Sequence, residues 1–261
     1  MQANKAQGPV VWPLLLTLIG VVLLLDNFLL LEPLDVTALW PLLLVVVGAV
    51  LLLRGDFVPD DAVRNFSITR GNVEAGALVV SAGEIDVRVG SLERDDRLIA
   101  GQYAAGARPD MEVTDKQTEL YFDRAATSWL NFADWELALA RDLPWQVFVS
   151  TSIGDADVHL NEIISEGGVV ATGLGDIRVT TPLETLTPLH LQSTAGSIYV
   201  MTPVGYQSRI TVQKTNMFGV QMDERRYVEV EPGLYIALDA DPQAPLVDIH
   251  VSGTFGDAYL A

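Results

Sequence analysis

The chain contains no cysteine at all. Disulfide staples and thiolate zinc sites are therefore excluded, although the compartment is left open. Basic residues are scarce: 16 Lys and Arg stand against 34 Asp and Glu, for a formal net charge of −18. Residues 1–54 hold only Lys5 and Arg54 against Asp26, Glu32 and Asp35, so nearly all of the excess lies beyond them. An acidic surface of this kind repels nucleic acid and anionic headgroups, which argues against DNA binding and against lying flat on an inner leaflet. Histidine is equally sparse. His159, His190 and His250 lack a second ligand type at metal-binding spacing. No serine elbow, phosphate loop or paired-carboxylate cleft is present, and Gly173-x-Gly175 opens a strand rather than a helix. Neither catalysis nor a cofactor is expected.

What the chain has in quantity is apolar residues, 49% of the total. Two apolar runs, Val10–Leu25 and Ala38–Leu53, are copies of one another. Trp12-Pro13-Leu14-Leu15-Leu16 matches Trp40-Pro41-Leu42-Leu43-Leu44, and Gly20 matches Gly48. Neither run carries a charge, and each favours membrane insertion by roughly 3–6 kcal/mol. Proline just inside each start suits a first helical turn, and tryptophan suits the headgroup level. The pattern predicts a two-helix transmembrane hairpin over residues 1–54, with helices at about 10–31 and 38–53 and a lipid bilayer as its surroundings. Lys5, Arg54, Arg64 and Arg70 flank one side while residues 26–37 have no Lys or Arg. The positive-inside rule then places both termini in the cytoplasm.

Residues 55–65, opening on Gly55-Asp56-Phe57-Val58-Pro59, read as a linker to a β domain at 66–261. That domain repeats a unit: a glycine followed by strict polar/apolar alternation. Gly154-Asp155-Ala156-Asp157-Val158 returns as Gly175-Asp176-Ile177-Arg178-Val179 and as Gly196-Ser197-Ile198-Tyr199-Val200. Gly83 and Gly256 open similar stretches. A fixed period of this kind predicts a β-solenoid with coils of about 21 residues, each glycine at a coil corner. The second and fourth residues after each glycine should face inward, and the first and third should face water. Asp155, Asp157 and Asp176 then form an outward acidic column. The nine-residue glycine/aspartate repeat of calcium-binding solenoids is absent, so solubility is the plainer reason for that column. Gly219 is followed by Gln221 where an apolar residue is due, which predicts a shifted or bulged coil.

Residues 101–145 do not follow the repeat and are rich in aromatics. Trp129, Phe132 and Trp135 either form a protruding partner-binding flap or cover the open end of the stack. Open-ended solenoids can also stack on one another, so a homo-oligomeric scaffold stands beside a partner-binding role.

The doubled Trp-Pro-Leu-Leu-Leu-x-x-x-Gly hairpin resembles the LiaI/LiaF-type transmembrane region. The phrase Trp135…Leu143-Pro144…Val147…Gly154, then the repeats, then Pro203-x-Gly205 with Arg209-Ile210, resembles the β domain of LiaF-like bacterial proteins. That domain is also known as the cell-wall-active antibiotics response or toast-rack domain. The resemblance implies a bacterial inner-membrane, non-enzymatic regulator of envelope-stress signalling whose partner is a sensor histidine kinase. It supplies no catalytic residues.

Overall fold

The structure is a computed structural model that describes residues 63–93, 96–104, 110–114, 117–123 and 134–261. The chain divides into two compact units, Met1–Val58 and Pro59–Ala261. The expected hairpin, with Trp12, Pro13, Gly20, Trp40, Pro41 and Gly48, lies outside the described residues. Strand structure starts at Val63, within the stretch expected to be linker.

The described residues are all β. β1 (Val63–Thr69), β2 (Ala75–Gly83), β3 (Val87–Ser91) and β4 (Arg97–Ala104) come first. β5 (Asp110–Thr114), β6 (Gln117–Asp123) and β7 (Trp135–Leu139) follow. Next are β8 (Pro144–Ile153), β9 (Ala156–His159), β10 (Ile164–Leu174), β11 (Ile177–Thr180) and β12 (Glu184–Thr185). β13 (Leu189–Ala195), β14 (Ile198–Met201), β15 (Gln207–Gln213) and β16 (Phe218–Met222) continue the series. β17 (Tyr227–Glu231), β18 (Leu234–Ala237) and the long β19 (Leu246–Leu260) complete it.

The strands form two faces of a largely parallel sheet. One face runs β1-β4-β7-β3-β9-β11-β14-β19-β16. The other runs β5-β6-β2-β8-β10-β13-β19-β15-β18-β17. β19 belongs to both and joins them at the bend before Gly256. Strand alternation sends Val87, Val89, Val158, Ile177, Val179, Ile198 and Val200 inward from the first face, where all are buried. Leu78, Val80, Val147, Val149, Val170, Leu191 and Val251 meet them from the second.

The 21-residue spacing is a true register only in the middle of the stack. Val149 pairs with Val170 and Val170 with Leu191; Ala156 pairs with Ile177 and Ile177 with Ile198. Outside residues 144–201 the chain doubles back. The coil of β2 and β3 lies between β6–β7 and β8–β9. At the other end β19, last in sequence, inserts between β13–β14 and β15–β16. The fold is thus solenoid-like without being a single continuous winding.

Gly154, Gly175, Gly196 and Gly256 stack in one column at the corner. All four have positive φ, between 126° and 147°. A Cβ on Gly175 would lie 2.1 Å from the carbonyl oxygen of Gly154, and one on Gly196 would lie 2.0 Å from that of Gly175. Close stacking, as much as φ, demands glycine here. Gly83 is not part of this column. Val87 pairs with Ala156, which puts Ile85 in the glycine position, while Gly83 pairs with Thr151 in a separate turn. At the far end Phe218 pairs with Gly256 and takes the column's last place. The coil is therefore shifted by one residue relative to Gly219, and Phe218, Val220 and Met222 keep an intact inward alternation.

Candidate interaction surface

Side chains on the first face form two ladders that follow from this register. In the row after the glycines, Asp86 Oδ1 accepts the Asp155 N–H at 2.8 Å, Asp155 Oδ1 accepts the Asp176 N–H at 2.9 Å, and Asp176 Oδ1 accepts the Ser197 N–H at 2.8 Å. Each aspartate thus locks the next coil's backbone. Arg178 donates to Asp155 Oδ2 at 2.9 Å and to Asp176 Oδ2 at 3.2 Å. Burial works against the Asp155 charge, yet the Asp176 N–H and the Arg178 guanidinium outweigh it and hold the carboxyl below its ordinary range. The column expected to do no more than keep the surface soluble is a set of structural braces.

Two residues further along, Glu136, Arg88, Asp157 and Arg178 alternate in sign across adjacent strands. Arg178 then sits over the Tyr199 ring at 5.4 Å, and Tyr199 stacks on Tyr259 with centroids 4.7 Å apart and planes 9° from parallel. Behind the corner, Thr172 Oγ1 donates to the Gly175 carbonyl at 3.0 Å. Thr151 Oγ1 is shared between the carbonyl of Ile85, which holds the corner place, at 3.2 Å and that of Gly83 at 3.0 Å. These buried hydroxyls satisfy carbonyls that the corner would otherwise strand.

The histidines sit on the outer surface of the stack. His159 Nε2 lies 3.2 Å from Asp157 Oδ1, and its Nδ1 lies 2.9 Å from Thr180 Oγ1. His190 and His250 occupy paired positions on the second face, edge to face at 5.0 Å. Among the described residues no group of three His, Asp or Glu side chains is placed to hold a metal ion.

Of the two readings of Trp135, a partner-binding flap or a cover for the end of the stack, the structure excludes the first, because Trp135 is not a surface residue. It is fully buried and packs against Phe122 at 6.0 Å, with Phe66 and Tyr103 completing the cluster. β6 and β7 form a proper coil on the outer side of β2 and β3, so part of the supposedly irregular stretch extends the stack. Trp129 and Phe132 lie outside the described residues.

The exposed apolar residues lie elsewhere. Ile153 pairs with Leu174, Leu174 with Ala195, and Ala195 with Phe255, each one place before its corner glycine. Met217 holds the same place before Phe218. Ile153, Leu174, Phe255 and Met217 are 49–63% exposed, so an apolar ridge runs down one corner of the stack. The signal was present in sequence as the apolar residue before each repeat glycine.

Among solved structures, the β unit is similar to a provisionally assigned cell adhesion protein of Clostridium sporogenes ATCC 15579, with TM-score 0.65 and 15% identity over 76% of this chain and 98% of that one. At that identity the likeness concerns fold alone. A provisionally assigned adhesin of Bacteroides fragilis NCTC 9343 aligns over 78% of this chain and 99% of its own, at 9% identity and TM-score 0.34. No curated protein matches the chain. Residues 10–52, which hold both Trp-Pro repeats, match the family model of the LiaI-LiaF-like transmembrane region.

Proposed function

We propose that this is a two-pass protein of the bacterial inner membrane, with a cytoplasmic β domain that acts by protein contact in envelope-stress signalling. The observation that carries the reading is the match of residues 10–52 to the LiaI-LiaF-like transmembrane region. A sensor histidine kinase is the partner that the LiaF resemblance implies. The placement of Lys5, Arg54, Arg64 and Arg70 on one side of the two apolar runs supports the topology. A non-enzymatic role accords with polar side chains that are spent on rung-to-rung pairs rather than converging on a cleft.

Deleting the gene should raise the basal output of an envelope-stress reporter, and complementation should restore it. An unchanged reporter, with and without a cell-wall antibiotic, would sink the regulatory role. Protease added to spheroplasts should spare the β domain until the membrane is permeabilised.

A second reading, a scaffold of end-to-end stacks, is favoured by one observation. Among the described residues no strand pairs with the outer side of β16, which carries a single bridge from Thr215 to Phe218, or with that of β17 at one end, nor with that of β1 or β5 at the other. Each face therefore offers one free edge per end. Sedimentation of the purified chain separates the readings, since a scaffold grows with concentration.

A further inference from the structure

The ridge of Ile153, Leu174, Ala195, Phe255 and Met217 has no evident structural duty. Serine or threonine serves at the position just before it, as Ser152, Thr194 and Thr254, so the corner tolerates polar residues. An exposed apolar line, dipping only at half-buried Ala195, is the kind of feature that marks a contact surface.

The backbone at the corner decides what kind of partner fits. The N–H groups of Gly154, Gly175, Gly196 and Gly256 donate to the carbonyls of Leu174, Ala195, Phe255 and Met217 at 2.9–3.1 Å. With those groups spent between rungs, no strand can be added along the ridge. Only side chains are on offer, so the partner must satisfy its own backbone, as a helix does. Five rungs at about 4.8 Å span roughly 19 Å, the length of about 13 helical residues. Ala195 leaves a notch between Leu174 and Phe255, two rungs apart, that suits one apolar side chain.

Charge supplies the rest. Asp155, Asp176 and Asp257 run beside the ridge, with Ser197 between the last two. Among the described residues Arg178 is the cation bonded to the first two and neutral Gln221 bonds the third, so the row keeps an excess of negative charge. Residues 59–261 hold 14 Lys and Arg against 30 Asp and Glu. We infer that the ridge is a docking site for an amphipathic, cationic helix of a partner protein. Its apolar stripe lies along Ile153–Met217, and its Lys or Arg side chains face the aspartate row. This deepens the contact role proposed above and rests on it.

The test uses the full chain in nanodiscs of zwitterionic lipid. The probe is a labelled synthetic helix of about 14 residues with a leucine stripe flanked by lysines. Fluorescence anisotropy should show saturable binding beyond that to empty discs. Leu174→Ser/Phe255→Ser should weaken it at least about tenfold, as should glutamate in place of the peptide lysines. Val204→Ser, at an exposed residue off the ridge, should leave it unchanged. Met217→Ser, also exposed, gives a second reading should the double variant melt early. The proposal is overturned if ridge variants bind as wild type does, or if the glutamate peptide binds equally well. It is also overturned if binding belongs to the discs alone, or if wild type forms a dimer that the ridge variants dissolve. None of these results alters the deletion phenotype, so the two readings fail separately.

Discussion

Where Gly175 lacks a side chain, the carbonyl oxygen of Gly154 closes in: an added Cβ would lie 2.1 Å from it. The same approach recurs at Gly196 and Gly256, so the corner is a column of backbone on backbone. Gly175→Ala combines that clash with a φ of 147° and should cost about 3 kcal/mol or more. Gly90→Ala, where nothing lies within 4 Å, should change stability by no more than about 1 kcal/mol. Thermal melting of the two variants checks the contrast.

Val179 is fully buried between the faces. Val179→Asp places a carboxylate where nothing pairs with it and should cost about 4 kcal/mol or more. Val204→Asp, at a residue 77% exposed, should stay within about 0.5 kcal/mol. Equal melting temperatures for the two would contradict the inward assignment of Val179.

Thr172 is buried and bonds the Gly175 carbonyl. Thr172→Val keeps the shape and removes the donor, so a loss of about 1 kcal/mol is expected by denaturant unfolding. Thr172→Ser, which keeps the hydroxyl, should retain the hydrogen-bond contribution.

The Asp155 carboxyl is held below its ordinary value in the folded chain, so it binds a proton less readily there than when unfolded. Its contribution is therefore present above the unfolded value of about 3.9 and is lost as pH falls through the lower folded value. Asp155→Asn keeps an acceptor for the Asp176 N–H but not the charge facing Arg178. Its melting temperature should fall less steeply with acidification below about pH 4, at a neutral-pH cost of at most about 1 kcal/mol for so exposed a pair.

Much of this fold could be read from residue patterns alone. Glycine and alternation gave the corner, the inward valines and the 21-residue register of residues 144–201, because one unit pairs with its like on each side. The back-turns at both ends could not be read that way. A repeat reports which segments are alike, not which lie side by side, and the long excursions after β3 and β14 leave the order open. Gly83 misled because its φ of 66° serves a local turn, while Ile85 takes the corner place. For Trp135, aromatic company left both a flap and an end cover open. Its parity with Leu137 and Leu139, buried along with it, carried the better signal. The ridge residues stand in sequence before each repeat glycine, but Ile153 shares parity with buried Val149 and Thr151, and Leu174 with Val170 and Thr172. Alternation alone therefore turns them inward; the bend at the glycine turns them out.

The order of the last coils is the claim on which both the core and the ridge depend, and the absence of cysteine makes it cleanly testable. Tyr199 pairs with Tyr259 on neighbouring strands, whereas Gln221 lies one rung beyond Tyr259. Tyr199→Cys/Tyr259→Cys should cross-link fully under mild oxidation, at a Cα separation of about 5 Å. Tyr199→Cys/Gln221→Cys, at about 10 Å, should not. The reverse outcome would mean that the coils follow sequence order, and β19 would lose its place in the stack.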